Sequence, residues 1–250
     1  MTQFLLNLCY DGSRFHGWQV QPNAITVQET LQDAIEQILG VRENVTGCSR
    51  TDAGVHAENF YCTMRTEKAI TPQKLKLALN AVLPEGVAVK HVQEIDLAFH
   101  PRYDAHQKEY RYVLWNQDYP NPFLKEKALD YPYPLDVEFL NAQAQDFLGT
   151  HDFTSFCAAH TGVEDKIRTI YQCRVEKEGD FVFFTIRGNG FLYNMVRIMV
   201  GTLLDIQKGN LKVGSIPEII KAKDRTKAGM TVSGEGLYLH QVYYDALEQN

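Results

Sequence analysis

The stretch Gly47-Cys-Ser-Arg50-Thr-Asp52-Ala-Gly54-Val-His56-Ala57 holds the residue types most able to do chemistry. Asp52 is followed by Ala and Gly, so the backbone there is unobstructed and a ligand could approach it closely. Arg50 lies two residues earlier, and on an extended strand both side chains point to one face. A guanidinium beside Asp52 would keep the carboxyl ionised and oriented. An ionised, oriented carboxylate is a nucleophile or a base. The commoner use of Asp-x-Gly is an aspartate that bonds its own turn. On these residues alone, that reading stands ahead of the catalytic one.

Three further clusters combine arginines or lysines with aromatics. Tyr10-Asp11-Gly12-Ser-Arg14-Phe15-His-Gly17-Trp18-Gln19-Val-Gln21 reads as a loop after a strand. It could stack on bases and bond a phosphate backbone, or plug one end of a sheet with Trp18. The two readings weigh evenly. Lys108-Glu-Tyr110-Arg111-Tyr112 alternates as a strand, with Lys108, Tyr110 and Tyr112 on one face. That face suits a stacked base beside a phosphate, or a half-exposed strand of good β-formers. In Gly188-Asn-Gly190-Phe191-Leu192-Tyr193-Asn-Met-Val-Arg197, a helical stripe begins at Leu192 and continues through Met195, Val196, Met199, Val200 and Leu203. Arg197 sits at the edge of that stripe, sharing a face with Tyr193 and Gly201, and needs a partner. Asp52 is one candidate. The eight histidines make no HExxH or other tight ligand pattern, and Gly188-x-Gly190 lacks the third glycine of a dinucleotide loop. No metal and no cofactor are expected.

The elements that must position these residues follow from periodicity. A strand over Phe4–Tyr10 precedes the first loop. Thr26-Val-Gln-Glu29 is a capping box, and Val27, Leu31, Ile35, Ile38 and Leu39 give a helix ending near Gly40. Two strands, near 44–50 and 56–65, flank the Asp52-Ala-Gly54 turn. Thr71-Pro72 opens a second helix with Leu75, Leu79 and Val82 on its buried side, and Val87–Ile95 is a strand. The order β-α-β-β-α-β is the ferredoxin-like split unit. The second part reads the same way: a strand over Glu109–Trp115, a helix over about 137–148, strands near 168–177 and 180–188, helices over 192–207 and 216–223, and a last strand from Leu237 to Tyr244. The expected fold class is therefore α+β, two ferredoxin-like halves with mixed or antiparallel sheets, divided as 1–100 and 101–250.

Composition agrees with a globular chain. The 250 residues are 44% hydrophobic and 22% charged. No run approaches the roughly 20 apolar residues of a membrane span. The start carries no basic segment before its apolar run, so no secretory signal is read. Five cysteines with no CxxC pair suit reduced thiols of the cytoplasm. The net charge of −6 argues against a nucleic-acid partner when taken alone. A local basic groove on an acidic protein is still compatible with it.

The segments YDGSRFHGWQVQ, SRTDAGVHA, FHPRYDA, KEYRY, DFTSF, GNGFLYNMVRIMVG, KDRTKAG and GLYLHQVYY occur in that order from end to end. With them the chain resembles the tRNA pseudouridine synthase A family over essentially its whole length. The resemblance implies a pseudouridine synthase-type catalytic domain. The implied enzyme is an isomerase that converts uridine to pseudouridine at positions 38, 39 and 40 of the tRNA anticodon arm. It implies Asp52 as the catalytic aspartate, with Arg50 helping to hold the flipped nucleotide. Tyr110 would stack on the base and Arg197 would pair with the carboxylate. The Tyr10–Gln21 loop, with Arg14, would lie near the RNA. A cytoplasmic homodimer with tRNA as partner is also implied. Two departures from the family pattern stand out. Ser49 occupies a place where Gly is frequent, and Thr231-Val-Ser233 replaces a frequent Thr-Ala-Pro run.

Three chemical routes are open to Asp52: attack at C1′, attack at C6 of uracil, or removal of a C2′ proton. All need the ionised form, which an ordinary aspartate with pKa about 3.9 has at neutral pH. The rival readings are a non-catalytic RNA-binding ferredoxin-like module and a hydrolase that pairs Asp52 with Asp11 as acid and base.

Overall fold

The computed structural model describes residues 1–158 and 162–247. They form two units: Met1–His106 together with the chain from Tyr238 onward, and Gln107–Leu237.

In the first unit, β1 (Thr2–Tyr10) is followed by α1 (Val27–Leu39), β2 (Val45–Gly47), β3 (His56–Thr66), α2 (Pro72–Val82) and β4 (Val87–Ile95). The strand order is β4-β1-β3-β2 and every pairing among these four is antiparallel. This is the expected split unit. The Thr26 hydroxyl accepts from the Glu29 N–H at 3.4 Å, and Gly40 ends α1 with φ 70°. Thr71 caps α2 in the same way, with Pro72 in the first turn where its missing N–H is harmless. Val27, Leu31, Ile35, Leu75 and Leu79 of the helices, and Phe4, Leu6, Leu8 and Phe60 of the strands, are all buried in the core. Leu5 is buried as well, so β1 is covered on both faces.

In the second unit the elements are β5 (Gln107–Trp115), β6 (Leu129–Asp130), α3 (Val137–Ala144), β7 (Gly149–Asp152), β8 (Ile167–Glu178), β9 (Phe181–Gly188), α4 (Met195–Gln207) and α5 (Ile216–Ala222). β5 pairs with β9, β9 with β8 and β8 with β7, all antiparallel; β6 lies parallel to β5. The remaining strand, β10 (Leu237–Tyr243), belongs from Tyr238 to the first unit and runs parallel to β3 through Tyr238↔His56 and Leu239↔Ala57. That pairing makes the first sheet mixed. The Tyr238 ring stacks on His56 at 4.5 Å, and Asn59 Nδ2 donates to the His240 carbonyl at 2.9 Å.

Three local expectations are corrected. The helix expected from Leu192 begins at Met195, because Asn194 takes a left-handed backbone (φ 60°) that breaks the helical run. The stripe expected on that helix is wider than drawn, since Ile198, Gly201, Thr202, Leu204 and Ile206 are buried too. The chain after α5 covers this second side: the Gly229 N–H donates to Thr202 Oγ1 at 2.9 Å, and a Cβ at Gly201 would stand 1.9 Å from the Met230 carbonyl oxygen. Tyr112 is fully buried instead of half-exposed, and its hydroxyl donates to the Ser233 carbonyl at 2.8 Å. Burial pushes that phenol well above its ordinary range.

Candidate active site

Residues 48–55 form a loop between β2 and β3. The strand argument that put Arg50 and Asp52 on one face therefore does not apply; β2 ends at Gly47. Within the loop, Val55 N–H donates to the Asp52 carbonyl at 3.2 Å and closes a four-residue turn. Gly54 has φ 78°, the value a type II turn needs at its third position. A Cβ there would meet nothing within 4 Å, so the glycine is required by the backbone and not by crowding. Asp52 is half-buried, Arg50 is exposed and Thr51 is buried.

The loop after β1 is tied directly to this turn. Tyr10 and Thr51 share a hydrogen bond between hydroxyls at 2.8 Å, and the Trp18 N–H donates to the Thr51 carbonyl at 3.1 Å. The Gly12 N–H donates to His56 Nδ1 at 3.0 Å. A Cβ at Gly12 would stand 2.1 Å from the Val55 carbonyl oxygen, and one at Gly17 would stand 2.5 Å from that of Thr51. Only backbone without side chains fits so closely. Trp18, 2% exposed, stacks on Phe60 at 4.1 Å. Trp18 packs as the plug reading expects, and the loop also clamps the turn that carries Asp52.

His56 is the residue whose part in this clamp the sequence left without a role. It is 2% exposed. Its Nδ1 accepts from Gly12, which puts the proton of a neutral imidazole on Nε2. Asp11 Oδ1 lies 3.3 Å from the same nitrogen and also accepts from the Ser13 N–H at 3.1 Å and the Ser13 hydroxyl at 2.7 Å. Asp11 is therefore occupied as the cap of a single helical turn, which weakens the hydrolase reading. The Tyr238 phenol is pushed up by burial, with the Glu58 and Asp11 carboxylates adding to the effect. The signal for this cluster was the run of glycines at 12, 17, 47 and 54 around two separate motifs.

The other expected site residues are placed as follows. Arg14 reaches Glu85 at 3.4 Å and Asp11 at 3.8 Å, and is half-exposed. In the second unit, Lys108 is partly exposed on β5 opposite Gly188. Tyr110 is 7% exposed, with Phe191 edge-on to it at 5.1 Å. Arg197 donates from Nε to the Val232 carbonyl at 2.7 Å and from Nη1 to Asn194 Oδ1 at 2.8 Å. These two acceptors fix its guanidinium, and the left-handed Asn194 that shortens α4 supplies one of them. Arg50, Asp52 and Arg14 thus belong to the first unit, and Lys108, Tyr110 and Arg197 to the second.

Among the described residues no three His, Cys, Asp or Glu side chains gather as a metal site would require. No helix among them is long and apolar enough to cross a membrane. A cleft of about 770 Å³ in the first unit, lined by Gln3, Glu43, Arg65, Lys68 and His100 among others, includes none of the expected site residues.

Comparison with known proteins gives these residues a context. The sequence profile described as tRNA pseudouridine synthase matches residues 9–104 and 143–245. The chain is 42% identical over 244 residues to tRNA pseudouridine synthase A of Thermoanaerobacter sp. (strain X514), covering 98% of this chain and 100% of that protein. It is 46% identical over 239 residues to the protein of the same name from Geobacillus sp. (strain WCH70), covering 95% and 96%. With the protein of that name from Brevibacillus brevis the identity is 45% over 237 residues. Matches of this extent, running through both units, establish that the chain belongs to the tRNA pseudouridine synthase family of isomerases.

Proposed function

We propose that this chain isomerises uridine to pseudouridine in the anticodon stem-loop of tRNA, with Asp52 as the carboxylate that opens the glycosidic bond. The observation that carries the reading is the Asp52 turn. In a chain of this family, a half-buried aspartate sits at the start of a glycine-bearing turn held by Tyr10, Gly12 and Trp18. Preorganisation of this kind is what a group needs if it is to meet a reacting atom without loss of rate.

The reaction breaks the bond between ribose C1′ and uracil N1, turns the base and joins C1′ to C5. The hydrogen leaving C5 is balanced by one gained at N1, so no atom is added and no electron is lost. Asp52 acts at C1′, at C6 or at the C2′ proton; all three routes use its ionised form. The target base must first leave its stack, at a cost of a few kcal/mol. Stacking on an aromatic ring returns about 1–3 kcal/mol. For Tyr110 and Arg197 the proposal keeps the roles that the resemblance implies, base stacking and carboxylate pairing. Arg14, Arg50 and Lys108 are proposed to contact the RNA backbone, so binding weakens as salt rises. The resemblance also implies a homodimer acting in the cytoplasm, which sedimentation and fractionation read directly.

The test is incubation of the protein with tRNA labelled with tritium at uracil C5, followed by carbodiimide-stop mapping. Tritium release with new stops at positions 38, 39 or 40 is the expected outcome. Tight binding with no release would support the RNA-binding module instead, and free uracil would support a hydrolase.

A further inference from the structure

The segment Phe99-His100-Pro101-Arg102-Tyr103-Asp104-Ala105 carries part of the family resemblance but no part of the proposed reaction. In the first unit it is a turn locked by its own polar groups. His100 Nδ1 accepts from the N–H groups of Arg102 at 3.1 Å and Tyr103 at 3.3 Å. The His100 N–H donates to Asp104 Oδ2 at 2.8 Å, and the Asp104 N–H returns to the His100 carbonyl at 3.0 Å. From outside the turn, the buried Tyr244 hydroxyl donates to the Pro101 carbonyl at 2.6 Å, and Gln3 Nε2 donates to the Phe99 carbonyl at 3.0 Å.

This anchoring holds two side chains out in solvent. Tyr103 is 75% exposed, although His100 packs against it at 4.3 Å, and Arg102 lies 5.9 Å from the centre of its ring. A lone exposed tyrosine would need no explanation; its surroundings give one. The ring borders a cleft of about 220 Å³ whose walls include Trp18, Gln28, Arg50, His100 and Arg102. No carboxylate lines this cleft, on a chain with 31 acidic and 25 basic residues. Among the described residues neither Arg50 nor Arg102 is engaged in an ion pair. The volume lies below the roughly 300–1,000 Å³ that encloses a drug-sized ligand, and suits one flat ring system. Gln28 is held on this wall by three bonds, accepting from Gln19 Nε2 and the Val20 N–H and donating to the Val45 carbonyl.

We propose that this cleft is a second nucleotide subsite, which takes one unpaired base beside the target uridine. The base stacks on Tyr103, and Arg102 and Arg50 meet the flanking phosphates. Arg50 is two residues from Asp52, at most about 7 Å of extended chain, which is the reach of one or two nucleotides. Recognition by stacking tolerates any base identity. The inference rests on the tRNA isomerase reading.

The test uses the full chain with fluorescent anticodon stem-loops, intact or made abasic at each loop position in turn. Tyr103→Ala is expected to weaken binding by about 5- to 150-fold, the range of one stacked base. Tyr103→Phe keeps the affinity. Wild-type protein loses the same factor on the RNA that is abasic at one neighbouring position, and Tyr103→Ala loses nothing further there. Arg102→Ala lowers the slope of log affinity against log salt by about 0.7. Folding is checked by an unchanged melting point, as the exposed ring requires. Wild-type affinity of Tyr103→Ala for every RNA, or losses that simply add at all positions, would overturn the subsite. Wild-type protein that binds but forms no pseudouridine would overturn the functional reading, while the binding cycle still decides the subsite.

Discussion

Gly12→Ala tests the clamp on the turn that carries Asp52. The added Cβ would stand 2.1 Å from the Val55 carbonyl oxygen, whereas ordinary contact begins at 3.4 Å, so the two must separate by about 1.3 Å. Neither side can yield through a side chain, because the contact is with backbone. Val55 closes the turn that carries Asp52 through its bond to the Asp52 carbonyl, so the displacement reaches the carboxylate. A misplacement of about 1 Å costs a reaction on the order of 10²-fold, or about 2.7 kcal/mol of barrier. Single-turnover tritium release from labelled tRNA measures this rate, and filter binding measures the affinity in parallel. The expected result is a slow enzyme with RNA affinity kept. Gly40→Ala is the control: its glycine has φ 70° at the end of α1 and no neighbour within 4 Å. It should lose about 1–2 kcal/mol of stability with the rate intact. A folded Gly12→Ala variant that turns over as fast as wild type would refute the clamp.

Three further outcomes follow from the packing. His56→Leu leaves the buried Gly12 N–H without its acceptor and should cost about 1–3 kcal/mol in chemical denaturation; His56→Asn, which can offer an oxygen near the place of Nδ1, should recover part of it. Gly201→Ala should force the Met230 carbonyl off α4 and lower stability by about 1–3 kcal/mol, seen as a lower melting temperature. The Asp152 carboxyl is held below its ordinary value by Lys223 Nζ at 2.8 Å and by Thr154. Its contribution is present above the unfolded pKa of about 3.9 and is lost as pH falls through the lower folded value. Lys223 is 60% exposed, so the amount is at most about 1 kcal/mol, and Asp152→Asn should flatten the acid limb of stability against pH by that much.

Much of the framework was legible because it rests on local rules. The Thr26 and Thr71 caps and the left-handed Gly40 each act within a few residues of themselves. The split unit followed from their order. What could not be read joins residues far apart in the chain. Tyr10 and Thr51 are separated by 41 positions and Gly12 and His56 by 44, and no spacing rule pairs them. The same applies to the chain after α5, whose cover of Gly201 and Thr202 turned a stripe into a helix buried on nearly all sides. Asn194 was misread for a different reason. Left-handed backbone is expected of glycine, and an asparagine there gives no break signal inside an apolar helical pattern. At the site, residue types pointed to Asp52, but the reason given for Arg50 was wrong, because the motif is a loop held by another loop and not a strand.

The central claim is that the carboxylate at position 52 performs the isomerisation. Asp52→Asn keeps the size of the side chain and removes its charge, and the most direct measurement is its single-turnover tritium release from saturating labelled tRNA. The rate is expected to fall by more than about 10²-fold, the lower end of what a positioned proton-transferring group supplies, with tRNA still bound and the melting point kept. Turnover close to wild type by the folded variant would contradict the account.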